Sequence, residues 1–408
     1  MSEVVLLSSA SQKTDKFLYI YVFSTCIYVY MIADLLWFER FPLSVCWLLT
    51  IFVSSVKIIK SRCYVTHEQF LLCACFSLYF FLSFFVWEWG FKFFYFTTTT
   101  FFLSTCSVIL LSIEEKKLLL KVISYVLVLV LLFSIPAWLL FVAGINLPHS
   151  DVIFHPDGAH EYYDYYFFRL NAKNEDIFDM ILPRFSSMFL EPGQLATPCA
   201  FIFFLNGAKF NWRNLPFLVA IILSFSLVAF GLLFWSLLSR IIVASKHKVL
   251  LIISGLVLFG GTAFYFTQFE DDDNPLNMFV FSRLEYDEDK GIAGNNRTSS
   301  FFDRKFNSIM QTSDKYLGIH NRLTQSSDWT YNCSGYKKFI VHRGIVGFMT
   351  FMLFILLLFL FNKSKESFLF LILLITAFFV RDLLQSPLWL YIAIIGFSML
   401  GNGRKVLQ

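Results

Sequence analysis

Arginine, glutamate, histidine and amide side chains are concentrated in two parts of this 408-residue sequence. The first is the segment 183–194, PRFSSMFLEPGQ, in which Arg184 and Glu191 flank an apolar patch. Pro192 suits the first turn of a helix, where free backbone N–H groups favour an anion. The segment therefore has the residues for a phosphate or sugar site. The alternative is an ordinary interfacial turn, with a snorkelling arginine and a glutamate that complements the helix dipole.

The second group lies further along the chain, between residues 295 and 347. It combines guanidinium, amide and imidazole side chains: Asn296, Arg297, Arg304, His320, Arg322, His342 and Arg343. Arginine binds phosphate oxygens through two N–H groups and keeps its charge, and histidine exchanges a proton near neutral pH. Such a set suits a substrate that carries a pyrophosphate and sugar hydroxyls. At most single positions, a solvated loop side chain is the competing interpretation.

Metal chemistry is not indicated by the remaining polar residues. The acidic run 270–273 lacks the glycine and the spaced ligands of a calcium loop. His160 and Glu161 begin like a zinc-protease helix, but position 164 is Asp164 rather than histidine. There is no CxxC pair, and Cys333 is the only cysteine in a long polar loop. We therefore expect no metal and no cofactor, and no nucleic-acid partner.

The elements that must position these residues are apolar. The chain is 57% hydrophobic and 15% charged, whereas soluble domains average about 25% charged residues. Most of its apolar runs are long enough to cross the ~30 Å hydrocarbon layer as a helix. The pattern predicts an all-α, polytopic transmembrane helical bundle. The predicted apolar segments are 17–37, 42–58, 70–87, 93–113, 122–144, 192–208, 215–245, 249–266, 344–361, 367–380 and 388–400.

The placement of the lysines and arginines predicts how these segments alternate across the bilayer. Basic residues near span ends concentrate on the cytoplasmic side. With the N-terminus inside, the basic connectors 59–69 and 209–213 fall inside, but the later basic clusters do so only if 215–245 crosses twice. We therefore predict a double crossing, with short or tilted helices near Phe230 and Gly231. The total is about twelve spans, with both termini cytoplasmic.

This topology makes one integral membrane domain of residues 1–408 with two long external loops, 145–191 and 267–343. Long loops cross the membrane regardless of their charge, so the basic residues in the second loop do not contradict the assignment. The two polar groups described above lie in these two loops. Arg184 and Arg297 are therefore expected on the same face of the membrane, where they can contribute to one site.

The architecture and four short motifs resemble O-antigen polymerases of the Wzy type, a family related to the O-antigen ligases. The motifs are RFSSMFLEPGQ in the first loop, and NNRTSS, YLGIH and KKFIVHRGIVGF in the second. Arg184 and Glu191 match the arginine and the E-P of the family's first-loop motif. In the second loop Arg297 matches an arginine that precedes a glycine, here Gly318. The pair Gly344 and Gly347 matches the G-I-x-G that opens the next span.

The resemblance implies a metal-independent glycosyltransferase of the bacterial inner membrane, with both loops in the periplasm. Such enzymes join oligosaccharide repeat units carried on undecaprenyl pyrophosphate, in contact with membrane lipid and in some cases with a chain-length regulator protein. By this resemblance and by residue type, Arg184 and Arg297 would bind pyrophosphate, with Arg304 as a weaker third. Glu191 and His320 would act as base or sugar contact. The expected substrate contacts are Asn296, Arg322, His342 and Arg343.

Two other functions remain open at this point. A lipid-linked oligosaccharide flippase or another transporter also has about twelve spans, but it favours buried charges along a central path and short loops. An O-antigen ligase shares the chemistry and transfers the glycan to a different acceptor. Ligases carry a His-Asn pair about eleven residues before the first glycine of the G-I-x-G motif, where this sequence has Cys333 and Ser334. The sugars, their linkage and the product glycan (O-antigen, capsule or exopolysaccharide) are not indicated by the sequence.

Overall fold

The computed structural model describes residues 16–33, 42–61, 65–85, 92–154, 161–171, 183–244, 300–319, 335–381 and 386–401, and the isolated positions 253, 257, 260, 261, 264, 265, 286, 287, 291, 292 and 384. The described residues are mostly helical. The first five helices are α1 (Lys16–Ile32), α2 (Leu43–Ser61), α3 (His67–Phe85), α4 (Lys92–Leu110) and α5 (Ile113–Val142). Three helices follow the first loop: α6 (Pro192–Leu205), α7 (Leu215–Leu223) and α8 (Leu227–Ala244). The second loop contains α9 (Ser300–Met310) and α10 (Asp314–Leu317), and the chain continues with α11 (Tyr336–Phe361), α12 (Lys365–Val380) and α13 (Pro387–Gly401).

Three helices among the described residues are long and apolar enough to cross a membrane, namely α2, α5 and α11. Shorter apolar stretches, of 10–17 residues, occur in α1, α3, α4, α6, α8 and α13. Helix α5 has 30 residues and starts with a capping box, in which Ser112 and Glu115 satisfy each other's backbone N–H groups. The helical architecture and these three helices indicate a membrane protein. The predicted number of about twelve spans stays a prediction.

Helix α13 lies at the centre of the bundle. Every residue from Leu388 to Met399 is buried, as expected for a helix that is apolar on all sides. The helix contacts α1, α4, α5, α6, α11 and α12. Its Tyr391 hydroxyl hydrogen-bonds Ser104 of α4. The central helix therefore links the N-terminal helices to the C-terminal ones.

The stretch 215–245 consists of two helices, but the break is not where the sequence indicated. Gly231 lies inside α8, and the chain turns at residues 224–226, where Phe225 has a φ of 42°. Helix α7 has nine residues and is therefore only about 14 Å long. The Arg240 Nη1 atom of α8 donates to the Ala208 carbonyl oxygen at 2.8 Å. The two ends of the stretch therefore lie on the same side of the bundle, although α7 is too short to cross a bilayer alone.

Several lysines and arginines gather at that side, which we name the basic end and define by Lys57, Lys116, Arg240 and Lys365. Lys116 at the start of α5 donates to Ser398 near the end of α13 at 3.0 Å. Lys365 in the first turn of α12 donates to the Ile242 carbonyl near the end of α8 at 3.2 Å. Lys57 of α2 pairs with Glu115 at 2.5 Å. Starts and ends of five helices thus meet at one end, as the charge pattern predicts for a cytoplasmic face.

The first loop folds back on the bundle as a small antiparallel sheet. Its strands are β1 (Ile153–Phe154), β2 (Glu161–Asp164) and β3 (Arg169–Asn171), in the order β1-β2-β3. Cross-strand partners include Phe154 with Glu161 and Asp164 with Arg169. In the second loop, β4 (Tyr286–Asp287) pairs antiparallel with β5 (Gly291–Ile292). The sheets interrupt a chain that is otherwise helical in its described part.

Candidate functional site

The segment 183–191 is held against the bundle by its own apolar residues. Phe185, Met188 and Phe189 are fully buried. The Phe185 ring meets Trp138 of α5 edge-on, with 5.6 Å between ring centroids. The Phe185 N–H donates to the Leu223 carbonyl at the end of α7, at 3.0 Å. The apolar patch that the sequence places between Arg184 and Glu191 is thus the anchor of the motif.

Two serines fix the path of this segment. Ser187 adopts a left-handed backbone conformation with a φ of 52°, and its hydroxyl donates to the Ser134 hydroxyl of α5 at 2.7 Å. The Ser186 hydroxyl donates to the Arg169 carbonyl of β3 at 3.0 Å. The motif is therefore bonded both to a helix of spanning length and to the loop sheet. This arrangement leaves Arg184 and Glu191 half-buried on either side of the anchor.

Arg184 is directed at the break between α7 and α8. Its Nε atom donates to the Ser224 carbonyl oxygen at 3.2 Å. Carbonyl groups at the end of a helix have no partner within that helix. Together with the Phe185 N–H, the arginine therefore satisfies the end of α7. The sequence predicts Arg184 as a charged residue of the site, and the structure adds a hydrogen bond from Arg184 that supports the fold at the end of α7.

Glu191 forms an ion pair with Arg381, the residue that follows α12. The side chains are 30% and 15% exposed, respectively, so the pair is partly shielded from water. Glu191 precedes α6 without capping it through its side chain, and Pro192 occupies the first helical position as predicted. The guanidinium of Arg381 lies directly over Gly193, where a Cβ atom would come within 2.7 Å of its Cζ atom. A side chain at position 193 would therefore displace the guanidinium from the start of α6.

Three buried polar atoms in residues close in sequence to this ion pair lack hydrogen-bond partners. They are the Nε atom of Arg381, the Oε1 atom of Gln194 and the Oγ atom of Ser386, and none has a partner among the described residues. A buried polar group without a partner costs free energy, so such groups mark places where a ligand or water binds. The surroundings of Arg381 therefore have unused capacity for hydrogen bonds.

The end of the second loop lies beside the same arginine. Gly335 precedes α11 with a φ of 75°, and a Cβ atom there would come within 2.4 Å of the Phe379 carbonyl oxygen, two residues before Arg381. Tyr336 then packs on the Phe379 ring, with centroids 5.2 Å apart. Arg381 thus lies between the E-P motif of the first loop and the start of the span that follows the second.

Two glycines join two motifs of the second loop at what we name the glycine seam, Gly318 and Gly344. Both have positive φ, at 83° and 68°. A Cβ atom on Gly344 would come within 2.1 Å of the Tyr316 carbonyl oxygen, and one on Gly318 within 2.7 Å of the His342 carbonyl oxygen. The Ile319 N–H donates to the Val341 carbonyl at 2.8 Å. The YLGI and HRG segments are therefore in backbone contact, which only glycine permits.

The seam also changes the predicted start of the span that follows. The sequence predicts an apolar span over 344–361, whereas α11 begins at Tyr336 and has a non-helical residue at Gly344. His342 and Arg343, both half-buried, lie next to this kink. Arg304 is exposed on α9, which is linked to α11 by an ion pair of Asp303 with Lys337 at 2.7 Å. The predicted contacts Arg304, His342 and Arg343 thus belong to one assembly of α9, α10 and α11.

Four predicted site residues lie outside the described part of the chain: Asn296, Arg297, His320 and Arg322. His320 directly follows Ile319, which donates the hydrogen bond across the glycine seam and is the last described residue before position 335. The acidic run 270–273 and Cys333 are outside the description as well. The assignments of these residues to pyrophosphate, base or sugar contact stay predictions.

Arg381 was missed as a site residue. In the sequence it stands directly after the apolar run 367–380, outside the motifs of both loops. Its partner Glu191 is 190 residues away along the chain, so no local spacing indicates the pair. The available signal was a lone arginine at the outer end of a predicted span, on the same face as both loops.

No metal centre accompanies this ion pair in the residues described. No group of three or more histidine, cysteine, aspartate or glutamate side chains is arranged there to hold a metal ion. A groove of about 370 Å³ lies at the other end of α6, lined mainly by Phe203, Phe210 and Trp212 with Lys209. Helix α6 has 14 residues and is about 21 Å long, so this groove is separate from Glu191.

Comparison of the chain with protein-family models, curated proteins and solved structures finds no match.

Proposed function

We propose that this protein is a membrane glycosyltransferase that polymerises oligosaccharide repeat units carried on undecaprenyl pyrophosphate. One observation carries the proposal: Glu191 of the first-loop motif pairs with Arg381, and the end of the second loop packs on Phe379 beside that arginine. The first-loop motif and the end of the second loop therefore lie close together, on either side of Arg381 at one end of an apolar bundle. A transporter would instead favour charges along a central path.

The transfer reaction needs a cation for the leaving pyrophosphate and a base for the attacking sugar hydroxyl. Arg184 and Arg297 are assigned to the pyrophosphate by motif, with Arg304 as a third candidate. Glu191 is engaged by a guanidinium, so a sugar hydroxyl would have to compete for its carboxylate. Its contribution is therefore assigned to holding Arg381 and the acceptor sugar, and the base is assigned to His320.

The position of the basic end supports the orientation in the membrane that this function requires. Basic residues at span ends mark the cytoplasmic face, and Lys57, Lys116, Arg240 and Lys365 lie together there. Arg381 is at the opposite end of α12 from Lys365, after a helix of 16 residues, or about 24 Å. On this basis we assign Glu191 and Arg381 to the periplasmic side of a bacterial inner membrane, with both termini in the cytoplasm.

Gel analysis of surface glycan in a deletion strain complemented with variants tests the proposal. Arg184→Ala and Arg297→Ala, at normal protein level, should leave glycan with single repeat units because the leaving pyrophosphate loses a cation. Arg213→Ala is the matched control, since this exposed arginine lies in the turn that leads from the basic end into α7, and it should keep the long-chain ladder. A full ladder from Arg184→Ala and Arg297→Ala would refute the assignment.

Deletion of the gene separates the competing functions. A polymerase deletion leaves single units on the surface. Polymerised glycan that remains on undecaprenyl pyrophosphate would identify a ligase, and lipid-linked units trapped in the inner leaflet would identify a flippase. Either of these two results would overturn the proposal.

A further inference from the structure

The strands β2 and β3 are joined by four aromatic residues, 165–168 (YYFF), which we name the aromatic tip. Tyr165 and Phe168 are buried and stack in parallel, with centroids 4.6 Å apart. Tyr166 and Phe167 are 49% and 41% exposed. A loop that joins strands in water normally carries glycine, asparagine, aspartate or proline. This composition therefore requires another explanation.

The tip packs along the flank of α5, not above its end. Phe141 of α5 contacts both Tyr165 and Phe168, with centroid distances of 5.1 and 5.6 Å. Phe167 stacks on Phe133 of α5 at 5.9 Å. Phe141 is one residue and Phe133 nine residues before the end of α5 at Val142. With a rise of about 1.5 Å per residue, Phe133 lies roughly 14 Å below the end of the helix.

The charged residues of α5 indicate where Phe133 and Phe141 lie relative to the bilayer. Glu114, Glu115, Lys116 and Lys117 occupy its start, and Lys121 is the last charged residue before a continuous apolar stretch up to Val142. From residue 122 to 142 the helix measures about 31 Å, which matches the hydrocarbon thickness. Phe141 is then at the outer boundary of the hydrocarbon. Phe167, stacked on Phe133, is inside the outer leaflet.

The backbone of the tip is suited to that environment. A polar backbone group in hydrocarbon must be satisfied within the protein, since no water is available. The Tyr165 N–H donates to the Phe168 carbonyl at 2.9 Å, and the Phe167 N–H donates to the Tyr165 carbonyl at 2.7 Å. Between them, the Tyr166 N–H donates to the Asp164 carboxylate at 3.0 Å. Three successive donors are thus satisfied inside the hairpin.

The two charged residues that flank the tip are shielded from the surroundings. Asp164 and Arg169 face each other in the strand register and are 5% and 2% exposed. The guanidinium of Arg169 lies over the Tyr162 ring, 4.6 Å from its centroid. The surface that the tip presents is therefore aromatic and carries no charge.

We infer that residues 165–168 form a membrane wedge whose Tyr166 and Phe167 insert into the acyl chains of the outer leaflet beside α5. Its ligand is the hydrocarbon and interfacial region of bilayer lipid. The same flank of α5 exposes Leu129, Leu132 and Phe133, so the wedge continues an existing apolar surface. This inference does not depend on the proposed enzymatic activity.

The wedge is also bonded to the candidate site. The Arg169 N–H donates to the Ser187 carbonyl at 2.8 Å, and the Ser186 hydroxyl returns a bond to the Arg169 carbonyl at 3.0 Å. The depth of the tip in the bilayer therefore sets the depth of the segment that carries Arg184. Lipid contact at the tip would therefore position the candidate site relative to the bilayer.

Spin labels on introduced cysteines test the wedge in proteoliposomes of the full chain. Tyr166→Cys is the test position, Leu132→Cys on α5 is the lipid-facing control, and Phe154→Cys is the aqueous control. Phe154 is 72% exposed and pairs with Glu161, the residue of β2 furthest from the tip. The measurement is the accessibility of each label to dissolved oxygen, which partitions into lipid, relative to a nickel chelate, which stays in water. Unmodified protein treated with the label gives the background from native cysteines.

The expected result is an oxygen-to-nickel ratio at position 166 that is close to that at 132 and several-fold above that at 154. A ratio at position 166 equal to that at 154 would place the tip in water and overturn the inference. A label that neither reagent reaches would show a contact with a second protein surface, which also overturns it. A second variant, Phe167→Cys, provides the same comparison if Tyr166→Cys does not fold.

Discussion

Replacement of Gly344 by alanine is the sharpest test of the glycine seam. The backbone of Gly344 has φ 68° and ψ 174°, a region that is essentially restricted to glycine and costs other residues about 1–3 kcal/mol. The new Cβ atom would also lie 2.1 Å from the Tyr316 carbonyl oxygen, where 3.4 Å is the lower limit of ordinary contact. Both the φ and ψ angles and the clashing carbonyl oxygen belong to the backbone, so a side-chain rotamer change relieves neither.

The magnitude follows from these two terms. The YLGI segment must move away from α11 by about 1.3 Å, the difference between the ordinary and the available distance. That movement disrupts the bond from the Ile319 N–H to the Val341 carbonyl, which contributes about 0.5–1.5 kcal/mol. Together with the dihedral term, the expected loss is about 2–4 kcal/mol, concentrated at the contact of α10 with α11.

Two alanine variants separate the causes. Gly144→Ala has the same sign of φ, at 84°, with nothing within 4 Å of its Cβ, so it reports the dihedral cost alone. Gly231→Ala lies inside α8 with no neighbour within 4 Å and should gain up to about 1 kcal/mol from helix propensity. The assays are thermal unfolding of the purified protein in detergent and hydrogen exchange of the Ile319 amide.

The expected order of stability is Gly231→Ala, wild type, Gly144→Ala and Gly344→Ala, with fast exchange at Ile319 only in the last. Exchange at Ile319 is the decisive readout, because it reports local opening of the seam. The argument is refuted if Gly344→Ala is as stable as Gly144→Ala and leaves the Ile319 amide protected. The clash would then be absent, and the two motifs would not be in backbone contact.

Two further predictions concern the ion pair of Glu191 with Arg381. Arg381→Gln and Glu191→Gln each leave one half-buried charge without its partner and should lower the unfolding temperature, whereas the double variant should recover part of the loss. The double-mutant cycle should give a coupling free energy of about 0.5–3 kcal/mol. Additive effects of the two substitutions would contradict the pairing. Gly193→Ala should displace the Arg381 guanidinium, because the new Cβ would lie 2.7 Å from it, and should therefore reduce that coupling free energy measured in the same cycle. Gly231→Ala is its control, and an unchanged coupling in the Gly193→Ala background would show that the arginine does not lie on α6.

The sequence predicted the helices better than the connections between them. Apolar runs and Pro192 are local signals, and α6 begins at Pro192 as predicted, whereas α5 begins at Ile113, nine residues before the predicted segment 122–144. The sequence predicts the break in 215–245 near Phe230 and Gly231, but it lies at 224–226. There Leu223 and Ser224 offer their carbonyl groups to Phe185 and Arg184, and a contact across 40 residues has no local signature.

The candidate site shows the same division. The motif match selected Glu191, Gly318 and Gly344, whose geometry is unusual in the structure: one ion pair across the bundle and two positive φ angles. It did not select Arg381, since the importance of this residue comes from packing against Gly193. Pairing between distant residues depends on the tertiary fold, which a single sequence does not provide.

The nine-residue helix α7 has a consequence for how the protein enters the membrane. A helix of about 14 Å is too short to be retained in a bilayer as a separate span, so α7 and α8 are expected to insert together as one hairpin. The carbonyl groups of Leu223 and Ser224 at its turn are then exposed to hydrocarbon until Phe185 and Arg184 reach them. Residues 183–191 are synthesised before that hairpin and can dock only after it has inserted. Docking of this segment is therefore a late step of insertion, and it completes a membrane helix and the candidate site at the same moment.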